Sequence, residues 1–127
     1  MPHLNVQIRE EDLDGQTEPK LIRALTEAVA SVLGEWAYAA AVVDLFGIPH
    51  NRRGTGGTPG AASAPIVTLH MRERGLAAPG RAEIPALLIG AITDAVCAAL
   101  GEDARKHVTV LIVGIPTGRS GVGGEPV

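Results

Sequence analysis

The sequence contains the same short unit twice, and this repeat limits the available folds more than any other feature. Residues 25–35 read LTEAVASVLGE, and residues 92–102 read ITDAVCAALGE, 67 positions further on. The segments GIPHNRRGTGGTP and GIPTGRSGVGGEP, which start at Gly47 and Gly114, are separated by the same 67 positions. Two long blocks in one register indicate an internal duplication. The chain must therefore fold as two copies of one small unit.

A shared opening marks the start of both copies. The chain begins MPHLNVQIRE, and the similar stretch APIVTLHMRE begins at Ala64. Pro2 and Pro65 are 63 positions apart, so the second copy has about four extra residues between its first strand and its helix. We therefore predict one domain over residues 1–127, built from a first unit at about residues 1–60 and a second unit at about residues 61–127.

Each copy has the sequence pattern of a strand, a helix and a second strand. In the first copy apolar and polar residues alternate from Leu4 to Ile8, which predicts a half-buried strand. A helix is predicted from Thr17, whose hydroxyl suits a helix cap, to Gly34. The other predicted elements are a strand over residues 39–46, a strand over residues 66–73, a helix over residues 83–100 and a strand over residues 108–113.

This order of elements predicts an α+β fold. A helix between two neighbouring strands requires a parallel pair with a right-handed crossover. Two tandem β-α-β units can therefore form a four-stranded sheet with two helices on one face. The other face then needs a cover, and the core, with only 2% aromatic residues in the composition, buries little apolar area per residue. Both points predict self-association.

Composition and charge exclude several classes of function. The formal net charge of −3 gives no basic surface, so we expect no nucleic-acid partner. No apolar run reaches the ~20 residues that cross a bilayer, and the N-terminus lacks a secretory pattern. We therefore expect no membrane partner and a soluble cytoplasmic protein. The single cysteine, Cys97, excludes an internal disulfide and a cysteine-based metal cluster, and the histidines are scattered, so no metal is predicted.

The two glycine-rich segments do not match nucleotide-binding loops. GTGG at Gly54 and GVGG at Gly121 lack the Gly-Lys-Ser/Thr of a P-loop, and neither is followed by a predicted helix. Glycines at this density suit a tight hairpin or a subunit-contact loop, because they tolerate backbone angles that other residues avoid. The sequence therefore predicts no cofactor.

Pro2 is the first residue that could carry chemistry. A small second residue normally permits removal of the initiator methionine, which would expose a rigid secondary amine at Pro2. An α-amino group has a pKa of about 8, and burial or neighbouring cations lower this pKa toward neutrality, where an amine is a good general base. Proline is also common at this position for no catalytic reason, so the residue alone leaves both interpretations open.

The second candidate is an arginine pair at the end of the third predicted strand. In a regular strand Arg72 and Arg74 share one face with His70. Neighbouring guanidinium groups repel each other unless an anion lies between them, and their geometry suits a carboxylate. The pair is therefore either a carboxylate-binding site or a solvated strand end with local partners such as Glu73.

Together these features resemble those of the tautomerase superfamily. The similarity lies in two β-α-β units, a Met-Pro start, an arginine pair that ends the third strand and Gly-x-Gly-Gly near the end of each unit. The group includes 4-oxalocrotonate tautomerase, malonate semialdehyde decarboxylase, cis-3-chloroacrylic acid dehalogenase and macrophage migration inhibitory factor. The resemblance covers essentially the whole chain and points to a fused, two-unit member. It implies a homotrimer whose sheets form an inner barrel with the helices outside.

The resemblance also implies roles for individual residues. Pro2 matches the catalytic amino-terminal proline of the family, and Arg72 and Arg74 match arginines that bind the substrate carboxylate. Tyr38 falls near the position of the decarboxylase's catalytic aspartate and is a candidate proton donor. Arg119, in the terminal glycine-rich segment, is a candidate for a further contact with the anion.

The sequence departs from the family pattern at several polar positions. Val42 and Thr109 stand where the short tautomerases have a second-strand arginine. The dehalogenase's helix histidine, strand tyrosine and C-terminal glutamate are replaced by Val29, Leu111 and Val122. Activation of water in the manner of the dehalogenase is therefore disfavoured, and the missing aspartate weakens the decarboxylase assignment.

These observations favour a cofactor-free tautomerase or isomerase that acts on a small carboxylate substrate, an enol or unsaturated 2-oxo acid. Pro2 would move the proton, while Arg72 and Arg74 would hold the carboxylate and stabilise the dienolate charge. A decarboxylase of a 3-oxo acid, with the same arginines and a cationic Pro2, is the alternative among enzymes. A non-catalytic member of the fold that binds a ligand or a protein is the alternative outside enzymes.

Overall fold

The computed structural model describes residues 1–60 and 64–127 of the chain. In chain order its elements are β1 (His3–Arg9), α1 (Thr17–Leu33), α2 (Trp36–Ala40), β2 (Val42–Ile48), β3 (Gly54–Thr55), β4 (Thr58–Pro59), β5 (Ile66–Arg72), α3 (Glu73–Leu76), α4 (Ile84–Leu100), β6 (Thr109–Ile115), β7 (Gly121–Val122) and β8 (Glu125–Pro126). The boundary predicted between the two units falls at residues 60 and 61. Residue 61, where the second unit is predicted to begin, therefore lies outside the described residues.

Four strands form one mixed sheet in the order β2-β1-β5-β6. The pairs β1–β2 and β5–β6 are parallel, and each is connected through a long helix, α1 or α4, so each unit is a β-α-β element. The two units meet through the antiparallel pair β1–β5. Both long helices pack on the same face of the sheet and against each other. The predicted α+β fold, with two helices on one face of a four-stranded sheet, is confirmed.

The repeat gives the sheet a local twofold axis. Asn5 in β1 lies directly opposite Thr68 in β5, and these two residues are equivalent positions of the two units, 63 apart. The parallel pairs obey the same relation, because the register of β1 against β2 repeats in that of β5 against β6. The place where β1 starts beside the end of β5 therefore has a twofold-related counterpart, where β5 starts beside the end of β1.

The core between sheet and helices is aliphatic. Its fully buried side chains include Leu4, Val6, Ile8, Val67 and Leu69 from the central strands and Leu21, Leu25, Val29, Leu88, Ile92 and Val96 from the two long helices. The chain's three aromatic side chains, Trp36, Tyr38 and Phe46, lie instead on α2 and β2 and are 49–55% exposed. None of the described helices has the length and apolar character needed to span a membrane.

Two local predictions in the first unit are wrong. Gln16 holds the cap position of α1, and the N–H groups at the helix start bond to the Asp14 carboxylate and not to the Thr17 hydroxyl: Asp14 accepts hydrogen bonds from the backbone N–H groups of Gln16 (2.9 Å) and Thr17 (2.8 Å). A carboxylate satisfies the free N–H groups of a helix start and interacts well with its dipole. The strand predicted from residue 39 begins only at Val42, since the alanine-rich stretch before it favours the short helix α2.

Each unit ends in a short antiparallel hairpin, β3–β4 or β7–β8. The turn residues Gly56, Gly57, Gly123 and Gly124 have positive φ angles between 59° and 89°. Side chains other than glycine rarely adopt this region, and two such residues in succession are typical of hairpin turns. The hairpin prediction for both glycine-rich segments is confirmed.

The second face of the sheet is not covered by any described helix. Its two central strands carry polar side chains, whereas its outer strands carry exposed apolar ones. Phe46 in β2 is 50% exposed and Leu111 in β6 is 48% exposed. Large apolar side chains exposed in this way on an uncovered sheet face are typical of a protein interface. We call this surface, which includes Phe46, Leu111 and Val113, the open face.

Candidate active site

A cavity of about 350 Å³ lies where β1 begins and β5 ends. A volume of this size accommodates a small organic molecule. We call it the amino-terminal cavity. It is lined by Met1, His3 and Asn5 at the start of the chain, His70 and Arg72 in β5, Ile115 in β6, and Ser120, Gly121, Val122 and Val127 in the terminal hairpin segment. The wall formed by β1 and β5 is therefore mostly polar and basic, whereas β6 and the terminal hairpin segment contribute mostly apolar residues.

The register of the central strands brings the chain's amino end beside Arg72. His3 pairs with His70 in the antiparallel β1–β5 ladder, so two further residues along each strand Met1 comes opposite Arg72. Burial, and to a lesser extent the positive charge of Arg72, hold the pKa of the Met1 amino group below its ordinary value. Both effects disfavour the charged form of an amine. An amine and a guanidinium group thus share the polar wall of the amino-terminal cavity.

Pro2 is fully buried and is fixed to the sheet by its backbone. Its carbonyl oxygen accepts a hydrogen bond of 3.0 Å from the backbone N–H of Val42. The nitrogen of Pro2 forms the peptide bond with Met1, so the free amine of the described chain belongs to Met1. Removal of Met1 would transfer the free amine to Pro2, one residue further along the same strand.

Arg72 is half-buried and, within residues 1–60 and 64–127, has no acidic side chain within ion-pair distance. Its neighbour across the β5–β6 pair is Ile115, an apolar residue that also lines the cavity. A partly desolvated guanidinium group without a carboxylate partner has its five donors available to an anion. Arg72 is therefore placed to bind a carboxylate in the amino-terminal cavity.

Arg74 does not share the strand face of Arg72, and this prediction is wrong. β5 ends at Arg72, and the chain turns at once into the one-turn helix α3, on which Arg74 is exposed and outside the lining of the cavity. The helix is held against the end of β6, where the Glu73 carboxylate occupies the space that a side chain at Gly114 would need. This contact ends the strand alternation from which the shared face was predicted.

Tyr38 and Arg119 also lie outside the lining of the amino-terminal cavity of their own chain. Tyr38 is on α2, beside the outer strand β2, and is 49% exposed. Arg119 lies in the turn before β7, where its backbone N–H donates to the Pro116 carbonyl at 3.0 Å and its side chain is exposed. Their predicted roles therefore depend on an assembly and stay predictions.

Four polar residues of the cavity were not predicted from the sequence. His3, Asn5, His70 and Ser120 all line it. The strand residues occupy alternate positions, which indicates that they share one face, but ordinary polar residues at such positions are common on exposed strands. Among the described residues no group of three His, Cys, Asp or Glu side chains is arranged to hold a metal ion.

No protein-family model and no curated protein matches the sequence. The asymmetric trimer of wild-type F6 fused 4-OT is similar in structure, with a TM-score of 0.83 and 22% identity over 98% of this chain and 94% of that one. The symmetric trimer of wild-type Q0 fused 4-OT has a TM-score of 0.78 and 28% identity over 97% and 93% of the two chains.

A third similar structure is Pt0534 inactivated by 2-oxo-3-pentynoate. Its TM-score is 0.78, and its identity is 18% over 97% of this chain and 93% of that one. All three likenesses extend over both β-α-β units and nearly the whole length of each chain. The protein therefore has the fused, two-unit fold of the 4-OT proteins in the tautomerase superfamily.

Proposed function

We propose that the protein is a cofactor-free tautomerase or isomerase that acts on an enol or unsaturated 2-oxo acid. The observation that carries this proposal is the position of the terminal amine beside Arg72, which has no acidic partner among the described residues, in one cavity. The fused 4-OT structures with the same fold support a reaction of the tautomerase type.

Pro2 is the proposed general base once Met1 is removed. Burial and the charge of Arg72 lower the pKa of the Met1 amine, and we expect both causes to act in the same direction on an amine at Pro2, one residue further along the strand. The neutral nitrogen takes the proton of the enol hydroxyl while the C–O double bond forms and the electron pair of the enol double bond moves to carbon. The protonated nitrogen then returns the same proton to that carbon, so the reaction consumes no further reactant.

Arg72 is the proposed carboxylate-binding residue. A guanidinium group can hold both oxygens of a carboxylate and stabilise the enolate charge that develops on the adjoining oxygen. Ile115 and Val122 would exclude water from the other wall of the cavity. Arg74, Tyr38 and Arg119 are proposed as auxiliary residues that reach the substrate from outside this lining, in the assembled protein.

The assembly we propose is a homotrimer. The F6 and Q0 fused 4-OT proteins are trimers, and the open face offers exposed apolar side chains on both outer strands. Burial of this face between subunits would compensate for a core that lacks aromatic side chains. It would also bring α2, with Tyr38, and the terminal hairpins close to neighbouring subunits.

The first experiment measures the mass of the natively produced protein and its activity. We expect loss of Met1 and enzymatic ketonisation of phenylenolpyruvate, followed by ultraviolet absorbance. Pro2→Ala and Arg72→Ala should each lower kcat/KM by about 100-fold or more, as expected for loss of a general base or an electrostatic contact. A retained Met1 would make the Pro2 nitrogen a non-basic amide, and the proposal would then fail.

A matched control comes from the repeat. Arg9 is the equivalent of Arg72 in the first unit but does not line the amino-terminal cavity, so Arg9→Ala should leave kcat/KM within about twofold. A panel of 3-oxo acids tests decarboxylation with the same variants. Turnover of a 3-oxo acid without ketonisation of phenylenolpyruvate would show that the protein is a decarboxylase and not a tautomerase. Equal rates in all variants would favour a non-catalytic binding protein.

A further inference from the structure

The amino-terminal cavity has a counterpart at the other end of the central strand pair. The repeat relates Met1 to Ala64, Arg72 to Arg9, Ile115 to Ile48 and Ser120 to Arg53. Arg9, Ile48 and Arg53 line a second cavity, which we call the junction cavity because the two units join beside it. Its volume is about 10 Å³, against about 350 Å³ for the amino-terminal cavity. The paired strands are equivalent in the two units, and the side chains around them differ.

Arg53 fills the space that is open in the amino-terminal cavity. Its Nη1 donates a hydrogen bond of 2.7 Å to the carbonyl oxygen of Ala64, and its Nη2 contacts the carbonyl oxygen of Gln7 at 3.5 Å. Ala64 occupies the position equivalent to Met1, so the guanidinium group sits where a ligand would approach the amine in the other unit. At the equivalent position Ser120 is too short to span this distance.

Asp12 neutralises the arginine of the junction cavity. Its two carboxylate oxygens accept hydrogen bonds from Nε and Nη2 of Arg9 at 3.0 and 2.8 Å, and Glu11 lies 3.8 Å from Arg9 Nη1. The equivalents of Glu11 and Asp12 in the second unit are Arg74 and Gly75. A carboxylate of the protein is therefore hydrogen-bonded to the arginine at one end of the central pair, whereas within residues 1–60 and 64–127 no carboxylate forms an ion pair with Arg72 at the other end.

We propose that the junction cavity is a latent carboxylate-binding site, built on Arg9 and kept closed by Arg53 and Asp12. The paired strands and the arginine of such a site are present. The Arg53 side chain fills the space beside Ala64, and the Asp12 carboxylate neutralises the charge of Arg9. Exchange of these two residues for those of the other unit, in the double variant D12G/R53S, removes the hydrogen-bonded carboxylate from Arg9, leaves only the longer 3.8 Å contact with Glu11, and removes the Arg53 side chain from beside Ala64. The variant should then bind a small carboxylate acid at both ends of the central pair.

The test is a calorimetric titration with 3-phenylpropanoate, a carboxylate that has no enol to react. The native protein should bind one molecule per chain and D12G/R53S two, and a third variant, R9A/D12G/R53S, should bind one again. Circular dichroism and thermal unfolding establish that each variant is folded. A folded D12G/R53S protein that binds no more ligand than the native protein overturns the proposal.

The reverse exchange provides a matched control. S120R/G75D carries the closing residues at the amino-terminal cavity and should lose the native binding event. The latent-site proposal rests on the proposed function only in its choice of a carboxylate as ligand. Different results of this titration would refute the latent site and the proposed function. If the native protein binds nothing and D12G/R53S gains one Arg9-dependent site, carboxylate binding at Arg72 is refuted, whereas the latent site stands.

Discussion

Arg9 and Arg72 hold equivalent positions at opposite ends of the central strand pair, but a carboxylate, that of Asp12, is hydrogen-bonded to Arg9 alone. Both arginines come from the same position of the duplicated unit. Their surroundings differ because different residues follow two and three positions later in the chain. Glu-Asp follows in the first unit at residues 11 and 12, and Arg-Gly follows in the second at residues 74 and 75. Among the described residues Arg72 has no carboxylate within ion-pair distance, which supports its proposed role in binding the substrate.

The pH dependence of catalysis should report the charge of Arg72. This charge contributes to the lowered pKa of the terminal amine, so Arg72→Gln removes one of two causes and raises that pKa while burial keeps it below the ordinary value. Since the neutral amine is the proposed base, activity should be lost as pH falls through the pKa of this amine. The acid limb of kcat/KM in Arg72→Gln should therefore lie at higher pH than in the native enzyme, with a smaller displacement in Arg72→Lys. An unchanged acid limb would contradict the assignment of the base.

The terminal amine should react with an electrophilic 2-oxo acid. Pt0534 is inactivated by 2-oxo-3-pentynoate, and a neutral secondary amine adds readily to an activated triple bond. We expect one molecule of this compound per chain, attached at Pro2 and located by mass spectrometry of peptides. A protein whose amino end is blocked by an uncleaved tag should remain unlabelled and inactive. Labelling at Cys97 or at a lysine in preference to Pro2 would count against the proposed base.

The twofold relation of the core can be tested with equivalent substitutions. Leu25 in α1 and Ile92 in α4 occupy equivalent positions and are both fully buried. Leu25→Ala and Ile92→Ala should each lower the free energy of unfolding by about 2–5 kcal/mol, through lost transfer energy and a residual cavity. The exposed pair Ile22→Ala and Ile89→Ala should cost less than about 1 kcal/mol. Denaturant unfolding at one fixed protein concentration measures all four, and a small cost at Leu25 or Ile92 would contradict the described packing.

Charge on the open face should disrupt the proposed trimer. Phe46 and Val113 are equivalent residues on the outer strands, and both side chains are exposed. Phe46→Glu and Val113→Glu should shift the mass measured by analytical ultracentrifugation from that of a trimer toward that of a monomer, because burial of an unpaired charge is costly. Ile89→Glu on the helical face is the matched control and should leave the mass unchanged. Equal masses for all variants would place the subunit contact elsewhere.

The fold could be predicted because its information is local and repeated. The alternation from Leu4 to Ile8 indicates which side of β1 is buried, and the apolar stripe of each helix indicates which side it packs. The duplication then predicts the second half from the first. The ends of the helices and strands depend on contacts between residues far apart in sequence, which a local sequence pattern does not indicate. The helix α3, which removes Arg74 from the strand, is held by the fit of Glu73 against Gly114, 41 residues away.

The cavity could be predicted only in part, since it depends on the register between units. Pro2 and Arg72 are recognisable in sequence, but the approach of the amino end of the chain to Arg72 follows from the pairing of His3 with His70. A shift of one residue in this register would change which side chains meet. β1 and β5 are not joined by a short hairpin loop, whose length would have fixed their register. The contributions of Asn5 and Ser120 to the same cavity follow from that register and from the path of the terminal hairpin.

The surface position of the aromatic side chains determines what optical spectroscopy can observe in this protein. Trp36 is the only tryptophan, and its indole N–H donates to the Leu33 carbonyl at 2.9 Å while the residue remains half exposed. Tryptophan emission therefore reports on the corner between α1 and β2, and not on the aliphatic interior. Fluorescence should follow the approach of another subunit to that corner, whereas the far-ultraviolet signal of the backbone should follow melting of the core.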